Sequence, residues 1–565
     1  MKKVTTKNVT LINLALGFAG RMQLAKVKKA SKNCKKASMQ TLRSILNYAK
    51  DSEWGKLHHF AEIAAAPTDE KMVELYQKYQ SPTDYETMRP FVERHKHGEE
   101  NVLFPGKPMM YATTSGTTGE PKWIPITHEY YDNIYNKMSK VWLYTFLMHR
   151  PHCFEGQTVS IVGKAIEGQA PDGTVYGSVS GVTRRDIPKF ISPIHSAPDA
   201  VFAISDYTAR YYTIMRIGIE QNITIIVTAN PSTIVEMQNN VNQFFDDYVT
   251  DIKNGTLNKN LKIEPEVRAV IEATLKPNPE RAAELRALKE AHPQILPKHY
   301  WPNFQILTTW KCGNTKIYME KFKNSFPENT LYQEFSYFAS ECRSGLVLNG
   351  KSDTVLFPHY HYFEFVPAEE IDSEEKHFLQ LHELEEGKQY SIYVTTWSGF
   401  YRYPMNDLVE VTGHYGTIPT IQFIQKINGI ISMTGEKLHE RQFIEAVHEA
   451  EEETKIQTQF FIGFAELENS VYHFYYEFKD QNISKEQLEN FNKVVDEKLK
   501  ALNIEYAAKR DSFRVKDPIP HALQKDSFET YKERCIAKGA RDGQFKLTLL
   551  MQNEDRHAMF KELVK

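Results

Sequence analysis

Residues Thr113-Thr114-Ser115-Gly116-Thr117-Thr118-Gly119-Glu120-Pro121-Lys122 follow directly on the apolar Met109-Met110-Tyr111-Ala112. No other stretch limits the fold and its use so sharply. Glycines let the backbone approach a phosphate, whose oxygens then take hydrogen bonds from amides and hydroxyls. Lys122 adds a mobile point charge. The spacing is not that of a Walker loop, because a proline stands where that loop places its second glycine. An ordinary flexible turn is the bland alternative, and ten residues of such ordered chemistry argue against it.

The loop resembles the signature of the adenylate-forming enzymes, which activate carboxylic acids with ATP. Its flanks, Asn101-Val102-Leu103-Phe104-Pro105-Gly106 and Trp123-Ile124-Pro125-Ile126-Thr127, resemble one branch, the Gretchen Hagen acyl-acid-amido synthetases. The resemblance implies an α/β fold, with a large N-terminal adenylate-forming domain over 1–425 and a smaller, mobile α+β domain over 426–565. It also implies that Ser115, Gly116, Thr117, Thr118, Gly119 and Lys122 hold the ATP phosphates.

Two further motifs extend the resemblance. Tyr337-Phe338-Ala339-Ser340-Glu341 is similar to the family's second motif. The Glu341 carboxylate is a hard oxygen ligand suited to Mg2+ on ATP phosphates, Ser340 is placed for the α-phosphate, and Tyr337 joins the nucleotide site. Gly399-Phe400-Tyr401-Arg402-Tyr403-Pro404-Met405-Asn406-Asp407 is similar to the third, whose aspartate takes both ribose hydroxyls; Asp407 is the candidate. Pro404 replaces a common basic residue and Asn406 a common glycine, and Asn tolerates the left-handed backbone such a turn needs. Gln425-Lys426 and Gly435-Glu436-Lys437-Leu438 resemble the interdomain hinge. There Lys426 replaces an arginine near the ribose, so a bidentate contact is lost. Gly543-Gln544-Phe545-Lys546-Leu547 resembles the late segment whose lysine reaches the α-phosphate, which gives Lys546 a catalytic role beside Glu341. Trp310-Lys311-Cys312-Gly313-Asn314 with Tyr318 is similar to a turn near the adenine. For Tyr362-Phe363-Glu364-Phe365, a core strand is as good a reading as a nucleotide contact.

Bulk properties set the frame. The 565 residues require at least two domains. A net charge of -3 provides no global field to recruit nucleic acid. Lys26, Lys28, Lys29, Lys32, Lys35 and Lys36 form one basic run, read first as a solvated helix face, with a polyanion or membrane surface as the alternative. Five scattered cysteines without CxxC spacing point to a reducing, cytoplasmic setting. Leu11 to Gly20 is interrupted by Asn13 and followed by Arg21, so it reads as an amphipathic helix rather than an exported leader. No segment is long and apolar enough to span a membrane. The chain is expected to act as a monomer.

Periodicity fills in the elements. Helices are expected up to about Pro90, including Met39–Tyr48 and Glu70–Tyr79. Strands are expected at 223–228, within 301–310 and at 360–366. Asn230-Pro231-Ser232-Thr233 opens a helix with capping chemistry, and Pro265 to His292 reads as one helical stretch. His359 and His361 are spaced to share a strand face, a structural pair rather than a metal site. After Ile427 the pattern runs helix (436–453), hairpin (459–467 and 471–479), then a helix opened by a Ser484/Gln487 capping box.

The leading functional expectation is an ATP-dependent acyl-acid-amido synthetase. It forms acyl-AMP and pyrophosphate, then passes the acyl group to an amino-acid amine, with the acyl pocket built between about Val159 and Asn230. An acyl-CoA synthetase and a non-catalytic nucleotide-binding relative are the alternatives.

Overall fold

The computed structural model describes residues 6–114, 122–187, 191–312, 319, 322, 324–371, 373–427, 430–528, 530–531, 534 and 549–565. Cα packing divides the chain into two compact units, Met1–Thr113 with Trp123–Gln425, and Thr114–Lys122 with Lys426–Lys565.

The first unit opens with helices: Thr6–Ala30 (α1), Cys34–Ala49, Asp69–Tyr79 and Tyr85–Lys96. Asn33, Thr68 and Asp84 cap the last three, each side chain accepting an orphan amide of the first turn. A four-stranded parallel sheet follows, ordered Gln157–Ser160, Ile223–Val227, Ile306–Thr309 and Leu331–Glu334. Its strands are buried on both faces, as crossover helices require. A seven-stranded sheet runs Leu379–Gln380, Tyr362–Pro367, Gln389–Thr395, Tyr403–Tyr415, Ile418–Lys426, Thr354–Leu356 and Gly345–Val347. A short sheet holds Met110–Thr114, the strand that precedes the glycine-rich segment in sequence.

Local details of this unit depart from the sequence reading in three places. Pro231 caps the helix Ser232–Gln243 with no side-chain hydrogen bond; the Thr233 and Ile234 amides donate instead to the Asn230 and Pro231 carbonyls. The stretch after Pro265 is two helices, Pro265–Glu272 and Pro279–Ala291. Pro277 cannot extend the first, and Asn278 caps the second. His359 and His361 do not share a strand face, because the amides of Tyr360 and His361 both turn back to the Phe357 carbonyl and the strand starts only at Tyr362.

The second unit is α+β. Helix Glu440–Thr454, hairpin Thr458–Glu466 and Val471–Phe478, and helix Lys485–Leu502 follow in order. Ser484 and Gln487 form the reciprocal capping box. Strands Ile519–Ala522 and Leu550–Met551 pair parallel to the hairpin's two edges. One face of this sheet carries a polar chain: Glu466 Oε2 lies 2.8 Å from His473 Nε2, and His473 Nδ1 lies 2.9 Å from His521 Nε2. His557 Nε2 lies 2.9 Å from the Tyr475 hydroxyl beside it.

Candidate nucleotide and acyl site

Strand Leu331–Glu334 runs into the second motif through Ser336, whose φ of 87° turns the chain. The Tyr337 amide donates to Thr354 Oγ1 at 3.1 Å, and its buried phenol donates to Asp407 Oδ2 at 2.6 Å. Burial, and then the Asp407 charge, push this phenol well above its ordinary range, so it stays a proton donor. Phe338 bridges Arg343, and the Ala339 amide donates to the Cys342 carbonyl at 3.0 Å. This closes a tight turn that leaves Ser340 and Glu341 half-buried at its tip. Asp407 lies on the strand Tyr403–Tyr415 one residue after Asn406, whose φ is 53°. The left-handed turn therefore survives without glycine. The structure thus brings Tyr337, Ser340, Glu341 and Asp407 into one region.

A cavity of about 230 Å³ opens beside the turn. Tyr130, Tyr135 and Phe338 wall it; Thr113, Ser178, Ser180 and Ser340 supply hydroxyls, and Glu167 a carboxylate. Glu167 and Gly177 to Ser180 fall inside the stretch expected to build the acyl pocket. Burial raises the Glu167 carboxyl, while Lys164 and Arg210 oppose the shift. The volume is below the ~300 Å³ lower end of typical ligand sites, which suits a small acid.

Arg343 holds this wall together. Its guanidinium centre lies 4.9 Å from the Tyr135 ring and 5.6 Å from the Phe338 ring. One arm donates to Ser139 Oγ at 2.6 Å, and its amide donates to the Tyr130 hydroxyl at 3.0 Å. The sequence reading passed over Arg343; its place two residues after Glu341 was the available signal. Arg402, by contrast, is committed to the core. Its Nε meets Glu364 Oε2 at 2.8 Å, both side chains are buried, and Gln77 donates to the other Glu364 oxygen at 3.0 Å. That settles the Tyr362-Phe363-Glu364-Phe365 segment as a core strand.

Of the expected adenine turn, Gly313, Asn314 and Tyr318 lie outside the described residues. Next to them, the Lys311 amide donates to Glu334 Oε2 at 2.6 Å. Burial pushes the Glu334 carboxyl up to about 7, a shift typical of functional sites and missed from sequence.

The second unit gathers charge. His439, at the start of the helix Glu440–Thr454, is held down to about 4, first by burial and then by the charges of Lys122, Lys426 and Lys437. Two of these lysines were assigned to phosphate or ribose, and Lys437 was read only as hinge. Burial also brings Lys509 down to about 7, and Arg514 adds to the effect. Glu436 is fully buried: its oxygens accept from the Met433 amide at 2.7 Å, the Thr434 amide at 2.8 Å and the Tyr472 hydroxyl at 2.6 Å. These bonds fix the turn in which Gly435 has a φ of 98° and Lys437 one of 46°. Ser115, Gly116, Thr117, Thr118, Gly119 and Lys546 lie outside the described residues.

Comparison with known proteins decides the family. The GH3 family N-terminal domain matches residues 23–331, its central domain 354–426 and its C-terminal domain 441–555. The chain belongs to the GH3 family. It is 24% identical over 484 residues to the indole-3-acetic acid-amido synthetase GH3.5 of Arabidopsis thaliana, covering 79% of this chain and 76% of that protein. It is 23% identical over 556 residues to GH3.3, named for the same activity in the same plant, covering 92% and 90%. Among solved structures, the GH3.15 acyl acid amido synthetase has a TM-score of 0.62 at 20% identity, over 96% of both chains. That likeness extends the shared GH3 fold across both units.

The matched GH3 segments also sort the site residues. Lys122 falls in the N-terminal match, Asp407 and Lys426 in the central one, and Lys546 in the C-terminal one. Residues 337–341 lie between matches. The Tyr337–Asp407 bond ties this intervening turn to the GH3 central domain.

Proposed function

We propose that this GH3 chain is an ATP-dependent acyl-acid-amido synthetase, a ligase that makes an amide in two steps. A carboxylate oxygen attacks the α-phosphorus of ATP, forming acyl-AMP and expelling pyrophosphate. An amino-acid amine then attacks the acyl carbon, and the acyl–phosphate bond breaks to give amide, AMP and a proton. The observation that carries the reading is the junction of the second and third motifs: Tyr337 bonded to Asp407 at 2.6 Å, with Ser340 lining the adjoining cavity.

The residues take the following roles. Asp407, oriented by Tyr337, takes the ribose hydroxyls, leaving the acyl acid to the Tyr130–Tyr135–Phe338 cavity. Ser340 meets the α-phosphate at its edge. Lys122 and Lys426 neutralise phosphate, to which the segment from Ser115 to Gly119 donates hydrogen bonds, and Lys546 stabilises charge at the reacting phosphorus. Among the described residues no group of three or more ligating side chains forms a metal cage. The Glu341 carboxylate at a turn tip fits Mg2+, which uses one or two carboxylates together with nucleotide phosphates. When bound, the ion neutralises phosphate charge. Residues 1–425 are the acyl- and ATP-binding domain in this scheme, and 426–565 the small domain bearing Lys546. Among the described residues Cys34, Cys153, Cys312 and Cys342 form no disulfide, which supports a reducing, cytoplasmic setting, and we place the enzyme there as a monomer.

The test is a pyrophosphate-release screen of purified protein with MgATP, panels of carboxylic acids, and each panel with and without amino acids. Mass spectrometry reads the products. An acid-dependent signal that ends in an amide supports the proposal. A thioester formed only with coenzyme A contradicts the second step, and ATP binding without turnover on any acid contradicts the first.

A further inference from the structure

The first acidic residue of the chain is Asp51; the fifty residues before it hold ten lysines and two arginines, in a chain with 69 basic and 72 acidic residues overall. So lopsided a segment calls for a physical account beyond a solvated face. Helix α1 supplies one. Ile12, Leu16, Leu24 and Val27 point inward, the first two packing with Phe146 and Phe154. The opposite side leaves Leu11, Leu14, Phe18 and Met22 exposed by 55, 67, 75 and 51%. Their spacings of three and four residues place them in one stripe along the helix. Lys29, seven residues past Met22, continues the stripe, and exposed Lys26 and Lys28 flank it.

The neighbouring ground is also basic. The helix Asn136–His149, packed on α1, carries Lys137 and Lys140 and no carboxylate. Burial, and then the nearby charge of Lys26, hold the Lys137 ammonium below its ordinary range. Glu129 is the carboxylate that partly offsets this cluster. Among the described residues no helix is long and apolar enough to cross a membrane, so α1 is suited to lie along a surface rather than pierce it.

We infer that α1 seats the protein on the surface of a membrane containing anionic phospholipid, with Leu11, Leu14, Phe18 and Met22 entering the headgroup–acyl boundary and Lys26, Lys28 and Lys29 pairing with phosphates. The combination of apolar stripe and cationic flank selects this partner. A second copy of the chain is disfavoured, because a two-fold contact would set the same lysines against each other with no carboxylate in the helix to offset them. A nucleic acid would satisfy the lysines and leave the four apolar side chains in water.

Vesicle flotation of the full-length chain tests the inference. It compares phosphatidylcholine vesicles with vesicles of two parts phosphatidylcholine to one part phosphatidylglycerol, at low and high salt. The expected result is flotation with the anionic vesicles only, weakened by salt. Leu14→Ser with Phe18→Ser should weaken binding about tenfold or more. Lys26→Glu, Lys28→Glu and Lys29→Glu together should weaken it roughly 100-fold. These positions are exposed, so unchanged melting temperatures are expected and exclude misfolding as the cause. The inference is overturned by equal flotation on both vesicle types, or by no flotation on either. It is likewise overturned by a dimer in solution that Phe18→Ser dissolves, or by an RNA oligonucleotide binding through the same lysines while vesicles do not.

Discussion

Two regions of the molecule are built by opposite physical means. Around Tyr337 and Asp407 the first unit is a buried, hydrogen-bonded scaffold with an aromatic cavity beside it. Around His439 the second unit assembles like charges, with Lys122, Lys426 and Lys437 all bearing on one neutral imidazole. The scaffold is held by buried hydrogen bonds. The lysine group, in which Lys437 Nζ also lies 3.7 Å from Glu505 Oε1, offers positive charge to an anion. On the proposed function this difference becomes a division of labour, in which one region would read the sugar and the acid and the other would read charge.

The largest effect should come from the scaffold. Asp407→Asn is expected to slow acid-dependent pyrophosphate exchange by roughly 10–150-fold, the worth of a charged hydrogen bond. Tyr337→Phe removes a positioning bond and should cost less; the partner to check is KM for ATP, expected to rise more than kcat falls. Equal, negligible effects from both variants would remove the sugar-reading role.

Next in size, Lys426→Ala with Lys437→Ala should weaken ATP binding about tenfold and flatten its dependence on salt. Removing the two charges should also let the His439 imidazole titrate above its present value of about 4. An NMR titration of that ring reads this directly, and an unmoved ring would show that burial alone sets it.

The pH responses come third and have opposite signs. Glu334 is held up to about 7, above an ordinary value of 4.5. The folded state therefore binds the extra proton between those values, and its contribution to stability is lost as pH rises through that window. Glu334→Gln should flatten this decline in pH-dependent melting. His521 and His557 are held down to about 4, below 6.5, chiefly by burial. Unfolded chains take up protons first, so this contribution is lost as pH falls from about 6.5 towards 4. His521→Asn should shrink that acid loss.

The smallest expected effect concerns the cavity wall. Arg343→Lys keeps the charge and loses the planar stacking on Tyr135 and Phe338. A loss of about 1–2 kcal/mol is expected by denaturant titration, with a raised KM for the acid. Unchanged stability would mean that the rings hold themselves.

What was legible in the sequence was local. The Ser484/Gln487 box and the hairpin of the second unit are written within a few residues of each other and stand where periodicity puts them. Its first helix, expected from Glu436, starts only at Glu440, because Glu436 holds the preceding turn and Leu438–His439 is a short strand. The motif around Asp407 was readable because its turn needs only an adjacent left-handed residue, which Asn406 supplies. The bond from Tyr337 to Asp407 spans 70 residues, and no local pattern encodes it. Burial of Glu334 and the stacking of Arg343 depend on strands and helices brought together from distant segments, so neither had a local signature. The break at Pro277 was readable in principle, but a polar Ala/Glu/Lys pattern on either side hid it.

The most direct measurement of the division of labour is calorimetric titration of adenosine, AMP and ATP into the wild type, the Asp407→Asn variant and the Lys426→Ala/Lys437→Ala variant. The account predicts that the Asp407 change weakens all three ligands by a similar factor. The lysine changes should weaken ATP strongly and leave adenosine nearly untouched. Lysine variants that lose adenosine as readily as ATP, or an Asp407 variant that loses ATP alone, would contradict it.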